Sequence, residues 1–142
     1  MDYSAAKTID ENLLDIVKKI EKYKDYRYTI YEMVDANGIV RYIGRTRQEL
    51  AVRETQHHRS DPKNKGKLTI QKAERNGCVL ENLHYEEARG LEQIVFDDHG
   101  GKAAAKAKHL VNINNPLNTK SKEGKIFYEI AQNFLDTVKK AF

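Results

Sequence analysis

The chain has no tryptophan, one cysteine, two prolines and two methionines in 142 residues. A lone Cys78 excludes an intramolecular disulfide framework and any cysteine-based structural zinc site. No apolar run is long enough to span a bilayer, and residues 1 to 20 lack a signal-peptide pattern. The expectation is a soluble protein, compatible with being the C-terminal cargo of a larger secreted one. Without Trp, the aromatic roles fall to eight Tyr and four Phe. Tyr23, Tyr26, Tyr28, Tyr31 and Tyr42 crowd into one short stretch. The length supports one domain with a helical extension, read as residues 1–26 followed by a domain over 27–142.

Net charge is +4, and its distribution matters more than its size. Residues 41 to 75 carry ten Lys or Arg against four Asp or Glu. Residues 81 to 98 carry six Asp or Glu against Arg89 alone. A basic stretch followed by an acidic one fits a phosphate-binding groove beside a metal site, and equally a solvated charged surface.

Hydrophobic spacing predicts the elements. Thr8-Ile9-Asp10-Glu11 reads as a capping box, followed by Ile9, Leu13, Ile16, Val17 and Ile20 on one face of a helix over 9 to 23. Residues 27 to 34 are β-branched and aromatic, Asn37-Gly38 is a hairpin signal, and Ile39 to Ile43 is the return strand, ended by Gly44. Gln48 to His58 suits a helix, Ser60 to Lys67 a polar loop, and Leu68 to Arg75 a short helix stopped by Asn76-Gly77. A third strand is expected within Cys78 to Tyr85 and a helix over Glu86 to Asp98, where Gly90 carries a cost. Lys102 to Lys108 reads as a helical turn or a basic loop, and Asn112 to Asn118 as irregular chain. Ile126, Phe127, Ile130, Phe134, Leu135 and Val138 mark a C-terminal amphipathic helix. The expected class is α+β: a small three-stranded antiparallel sheet flanked by helices, with amphipathic helices at both ends.

Phosphodiester cleavage needs an activated nucleophile, neutralised phosphate charge and help for the leaving oxygen. If the Asn37-Gly38 turn sets the register, Tyr31 and Tyr42 face one groove, where a phenol can orient a water or take its proton. Tyrosine is also an ordinary strand residue. Arg53 and His57 stand four apart, on one helix face. Arg offers a planar fork for phosphate oxygens and His a proton shuttle, although the same spacing describes many surface pairs. Glu92 sits among Leu91, Ile94, Val95 and Phe96, and is either a solvated helix residue or a metal ligand. One carboxylate with substrate phosphate is enough for a single Mg²⁺. The cluster Asn112-Ile113-Asn114-Asn115-Pro116-Leu117-Asn118 is ordinary turn chemistry or a source of a site amide.

In order and spacing, Thr29-Ile30-Tyr31, Tyr42-Ile43-Gly44, Arg53, His57, Glu92 and a late Asn resemble the GIY-YIG nuclease superfamily, from about Tyr28 to Asn118. Thr29 stands where the first triplet usually has Gly, and Arg53 comes about one residue late. The resemblance implies a site of Tyr31, Tyr42, Arg53, His57, Glu92 and either Asn114 or Asn118. A first-strand Tyr would serve as or relay to the general base, the Arg would stabilise phosphate, and Glu92 would hold one Mg²⁺ (or Mn²⁺). Glu87-Ala88-Arg89-Gly90-Leu91-Glu92-Gln93, Gly100-Gly101 and Asn112 to Pro116 resemble the C-terminal GIY-YIG domains of bacterial polymorphic toxins of the contact-dependent and Rhs types. That branch implies a toxin acting in the bacterial cytoplasm on DNA or RNA, neutralised by a cognate immunity protein. Glu87 and Arg89 would be structural helpers there. The alternatives are a non-catalytic nucleic-acid-binding module on the same scaffold and a mobile-element or defence nuclease. They are distinguished by binding without cleavage and by a discrete banding pattern on DNA.

Overall fold

The computed structural model describes residues 3–141, with side chains described from residue 12 onward. In chain order the elements are α1 (Tyr3–Lys22), β1 (Thr29–Val34), β2 (Val40–Thr46), α2 (Leu50–Ser60), the single turn α3 (Pro62–Lys65) and β3 (Thr69–Lys72). Two short strands follow, β4 (Glu74–Arg75) and β5 (Cys78–Val79), then α4 (Tyr85–Asp98), α5 (Gly101–Lys106) and α6 (Lys122–Ala141). Strands β1 to β3 form an antiparallel sheet in the order β2-β1-β3, so the fold is of the α+β class with a long helix near each end.

The hairpin reaches the expected register by an unexpected route. Its loop closes at Asp35 and Ile39, whose backbones are bonded at 3.0 Å, and the Asp35 carboxylate accepts from the amides of Asn37 and Ile39. Only Gly38, at φ +77°, takes the left-handed region, whereas Asn37 does not. This is a longer turn closed by a left-handed Gly, not a two-residue Asn-Gly turn. Left alone, it would shift β2 by one residue and send Tyr42 to the face opposite Tyr31. A bulge at Arg41 restores the register: Val34 pairs with Val40, but Met33 pairs with Tyr42 and Tyr31 with Gly44. Arg41 is held there by Asp35, at 3.0 Å, and by the Val111 amide donating to its carbonyl.

Four local expectations change. The third strand of the sheet is β3, which replaces the expected helix over 68 to 75; the strand expected within 78 to 85 is β5, which pairs with β4 in a separate two-stranded sheet. Thr69 to Lys72 is too short for a stable helix of its own, and pairing with β1 satisfies its backbone, with Met33 opposite Ile70. Asn76-Gly77 does not stop a helix. Both residues have positive φ, 54° and 78°, and they join Arg75 to Cys78 as a two-residue hairpin turn. Gly44 lies inside β2 instead of ending it, and Thr8 lies inside α1 instead of capping it.

The sheet has two unlike faces. Ile30 and Ile43 point into the main core with Leu91, Val95 and Phe96 of α4 and Phe127 of α6, all fully buried. Burial of side chains of this size stabilises by roughly 1.5–3 kcal/mol each. The α4–α6 crossing requires Gly90, because a Cβ there would lie 2.1 Å from the Phe127 carbonyl oxygen. The other face is a small cluster of Tyr31, Met33 and Leu68, with Tyr42, Leu50 and Ile70 packed against it.

The second half of α1 belongs to the domain. Ile16 is buried in the main core, Ile20 and Tyr23 pack against it, and Lys19 pairs with Glu123 at 2.8 Å. Among the described residues no helix is long and apolar enough to cross a membrane.

Candidate active site

Tyr31 is the hub of the small face. Opposite it in the register stands Gly44, and a Cβ at that position would lie 2.4 Å from the Tyr31 hydroxyl oxygen. The bare glycine lets the phenol cross β2 and reach a groove of about 630 Å³ at the edge of the sheet. Tyr31, Tyr42, Arg45, Arg53, Tyr85 and Glu92 are among its lining residues. Tyr31 and Tyr42 do share one face, their rings 6.1 Å apart and close to parallel.

Helix α2 supplies two groups to the Tyr31 oxygen. His57 Nε2 lies 2.7 Å from Oη, and Arg53 donates from Nε at 3.3 Å. The i, i+4 spacing thus aims both side chains at one atom. Arg53 also donates to Gln56 Oε1 at 3.0 Å and faces the groove. His57 is almost wholly buried behind Tyr31 and does not line the groove. Burial, with the cations Arg53 and Lys65 adding to it, lowers its pKa to about 4, so the ring is neutral at pH 7. Burial also pushes both phenols up, with Tyr42 opposing ionisation of Tyr31 and Glu92 that of Tyr42, while Arg53 pulls both back.

Glu92 reaches the same groove from α4. It is 8 % exposed, and its Oε1 accepts from Arg45 Nη1 at 2.6 Å. Burial pushes its carboxyl up, against the pull of Arg45 and Arg89. Among the described residues no cluster of three or more His, Cys, Asp or Glu could hold a metal ion by itself. Among the described residues Glu92 is the one carboxylate lining the groove. That donor set suits an ion shared with substrate phosphate and water, the usual arrangement for Mg²⁺, and not a self-contained protein cage.

The asparagine cluster acts within its loop and at the start of α6, away from the groove. Asn114 is exposed, and neither it nor Asn118 lines the groove. Asn118 shapes the start of α6: its side chain accepts from the Lys120 amide and its carbonyl from Ser121. Asn112 instead clips the loop to β2, accepting from the Ile43 amide at 3.1 Å and donating to the Ile43 carbonyl at 2.8 Å. Gln93 holds the other end, donating to Asn115 Oδ1 and accepting from the Leu117 amide. The loop therefore ties the strand bearing Gly44 and Arg45 to the helix bearing Glu92. Glu87 accepts from the His84 amide at 2.8 Å, and Arg89 donates to the Tyr85 hydroxyl at 2.6 Å, both structural roles.

Sequence reasoning missed Arg45, Lys65 and Asn112. Arg45 follows Gly44 directly on the strand leading out of the groove, which is the signal that pointed to it. Nothing local marks Lys65, one of three lysines in Lys63 to Lys67, as the buried one. The basic and acidic stretches also meet in pairs: Arg45 with Glu92, Lys72 with Glu81 and Arg75 with Asp98. Comparison of the chain with protein-family models, curated proteins and solved structures found no match.

Proposed function

We propose that the protein is a metal-dependent endonuclease of the GIY-YIG type, hydrolysing phosphodiester bonds in nucleic acid. One observation carries this reading: Tyr31, Tyr42, Arg53 and Glu92, from β1, β2, α2 and α4, converge on a single groove. Arg53 would hold a phosphate oxygen and the two phenols would orient the attacking water. Glu92 would hold one Mg²⁺ or Mn²⁺, which when bound supplies charge neutralisation at the phosphate. Arg45 and Arg47 at the same groove add cations for the neighbouring backbone. The toxin reading, with action in the bacterial cytoplasm and a cognate immunity protein, rests on the residues around Glu92 and remains part of the proposal.

The test is cleavage of supercoiled plasmid and of total tRNA, side by side, with Mg²⁺ or EDTA, by the wild type and by Glu92→Gln. Metal-dependent cutting that the variant loses is expected. Cutting of tRNA alone would make the protein an RNase, and cutting in EDTA would remove the metal from the mechanism. The Arg45–Glu92 pair favours a second reading, a groove that binds phosphate without cutting it. Salt-dependent binding with no cleavage under any divalent ion would establish that one.

A further inference from the structure

Lys65, the last residue of α3, is 9 % exposed, and among the described residues no carboxylate lies within ion-pair distance of it. A buried lysine without a carboxylate is costly, so its surroundings call for an explanation. Its Nζ lies 4.1 Å from the centre of the Tyr42 ring, over the face, and 3.2 Å from His57 Nδ1. Burial lowers the pKa of Lys65, against which the Tyr42 face and Asp61 favour the ammonium form. An ammonium has hydrogens and no lone pair, so Nδ1 must accept. A neutral imidazole that accepts at Nδ1 carries its hydrogen on Nε2. Nε2 faces the Tyr31 oxygen at 2.7 Å.

We propose that Lys65 is a positioning residue that sets the tautomer of His57 and, through it, the direction of the Tyr31 hydroxyl. With Nε2–H and Arg53 Nε–H both donating to Oη, the phenol oxygen has two donors on its protein side. Its own hydrogen is then directed away from His57, toward the Tyr42 oxygen and the groove that both phenols line. In the other tautomer Nε2 would accept that hydrogen and turn it inward, away from substrate. Lys65 does not line the groove; it meets His57 at Nδ1 and the Tyr42 ring at its face, and it reaches Tyr31 only through His57. The remaining charged or titratable groups around the ring are Arg53 and His58 of α2, Asp61 at its end, and Tyr31 and Tyr42 of the sheet. Arg53, the cation nearest the same phenol, donates to the Tyr31 oxygen and to Gln56 and not to a ring nitrogen of His57, so it does not choose the tautomer.

The inference rests on the proposed nuclease reading for its consequence but not for its test. Imidazole ¹⁵N NMR of the wild type should show His57 protonated at Nε2 and bare at Nδ1. Lys65→Met should shift the population toward Nδ1–H, and Lys65→Arg should retain the wild-type pattern. A wild-type ring protonated at Nδ1 would overturn the proposal without any variant, and an unchanged tautomer in a folded Lys65→Met would do so as well. In the cleavage assay Lys65→Met should lower kcat by about 10- to 100-fold with KM unchanged, the signature of an effect on the reacting geometry. A raised KM with unchanged kcat would instead make Lys65 a binding residue and defeat the assignment. If the NMR result holds and no substrate is cut, the tautomer device stands and the nuclease reading fails.

Discussion

The two faces of the central sheet use burial in opposite ways. On one, Ile30 and Ile43 meet α4 and α6 in an apolar core closed by a glycine contact at Gly90. On the other, Tyr31 is just as buried, yet its neighbours are His57, Lys65 and Arg53. The first face supplies the stability that lets the second keep polar groups away from water. A buried phenol, imidazole and ammonium in a line are poor packing elements, so their presence points to use at the groove.

That division can be broken from either side. Arg53→Ala should reduce cleavage by about 10²–10³-fold while the urea midpoint barely moves, because Arg53 is half-exposed and belongs to the small face. A variant that unfolds would place Arg53 in the scaffold instead. Gly90→Val is the mirror case: it should destabilise by about 3 kcal/mol in urea unfolding, since the clash is with the Phe127 backbone and not with a side chain free to swing. Gly44→Ala falls between them. Displacing the Tyr31 ring should cost about 1–2 kcal/mol in stability and a larger relative loss of cleavage.

The smallest effect is on pH dependence. His57 has its pKa lowered from 6.5 to about 4 in the folded chain, so the unfolded chain binds more protons between those values. Its contribution to stability is present above the unfolded value and is lost as pH falls toward the folded one. Asp35, whose carboxyl the Ile39 amide and Arg41 hold down, weakens the fold in the same direction at lower pH. Comparing wild type with His57→Gln cancels that background. The stability difference between the two should narrow as pH is lowered through this window, and a difference that stays constant would show that His57 is not buried neutral.

The two Asn-Gly pairs show why part of the fold was legible in the sequence and part was not. Their local signal is the same, but Asn76-Gly77 forms the two-residue turn and Asn37-Gly38 does not. Asp35 decides the latter by accepting two amides of the loop, and the Arg41 bulge then corrects the register. Face-sharing by Tyr31 and Tyr42 was therefore anticipated from a turn that the chain does not use. That Arg53 and His57 meet was readable because helix spacing places residues four apart together. The roles of Asn112 and Asn118 were not, because a loop of similar asparagines carries no local mark of which one meets β2.

By itself the sequence determined the α+β class, the hairpin and the long helices α4 and α6, because these follow from hydrophobic period and local turn propensity. Only the tertiary structure decided that Thr69 to Lys72 would be the third strand, that Lys65 would be the buried lysine, and that Arg45 would hold Glu92. Each of these depends on a partner distant in the chain: an open edge on β1, the space behind His57, a carboxylate on α4. The free energy of such pairings exists only once both partners are in place.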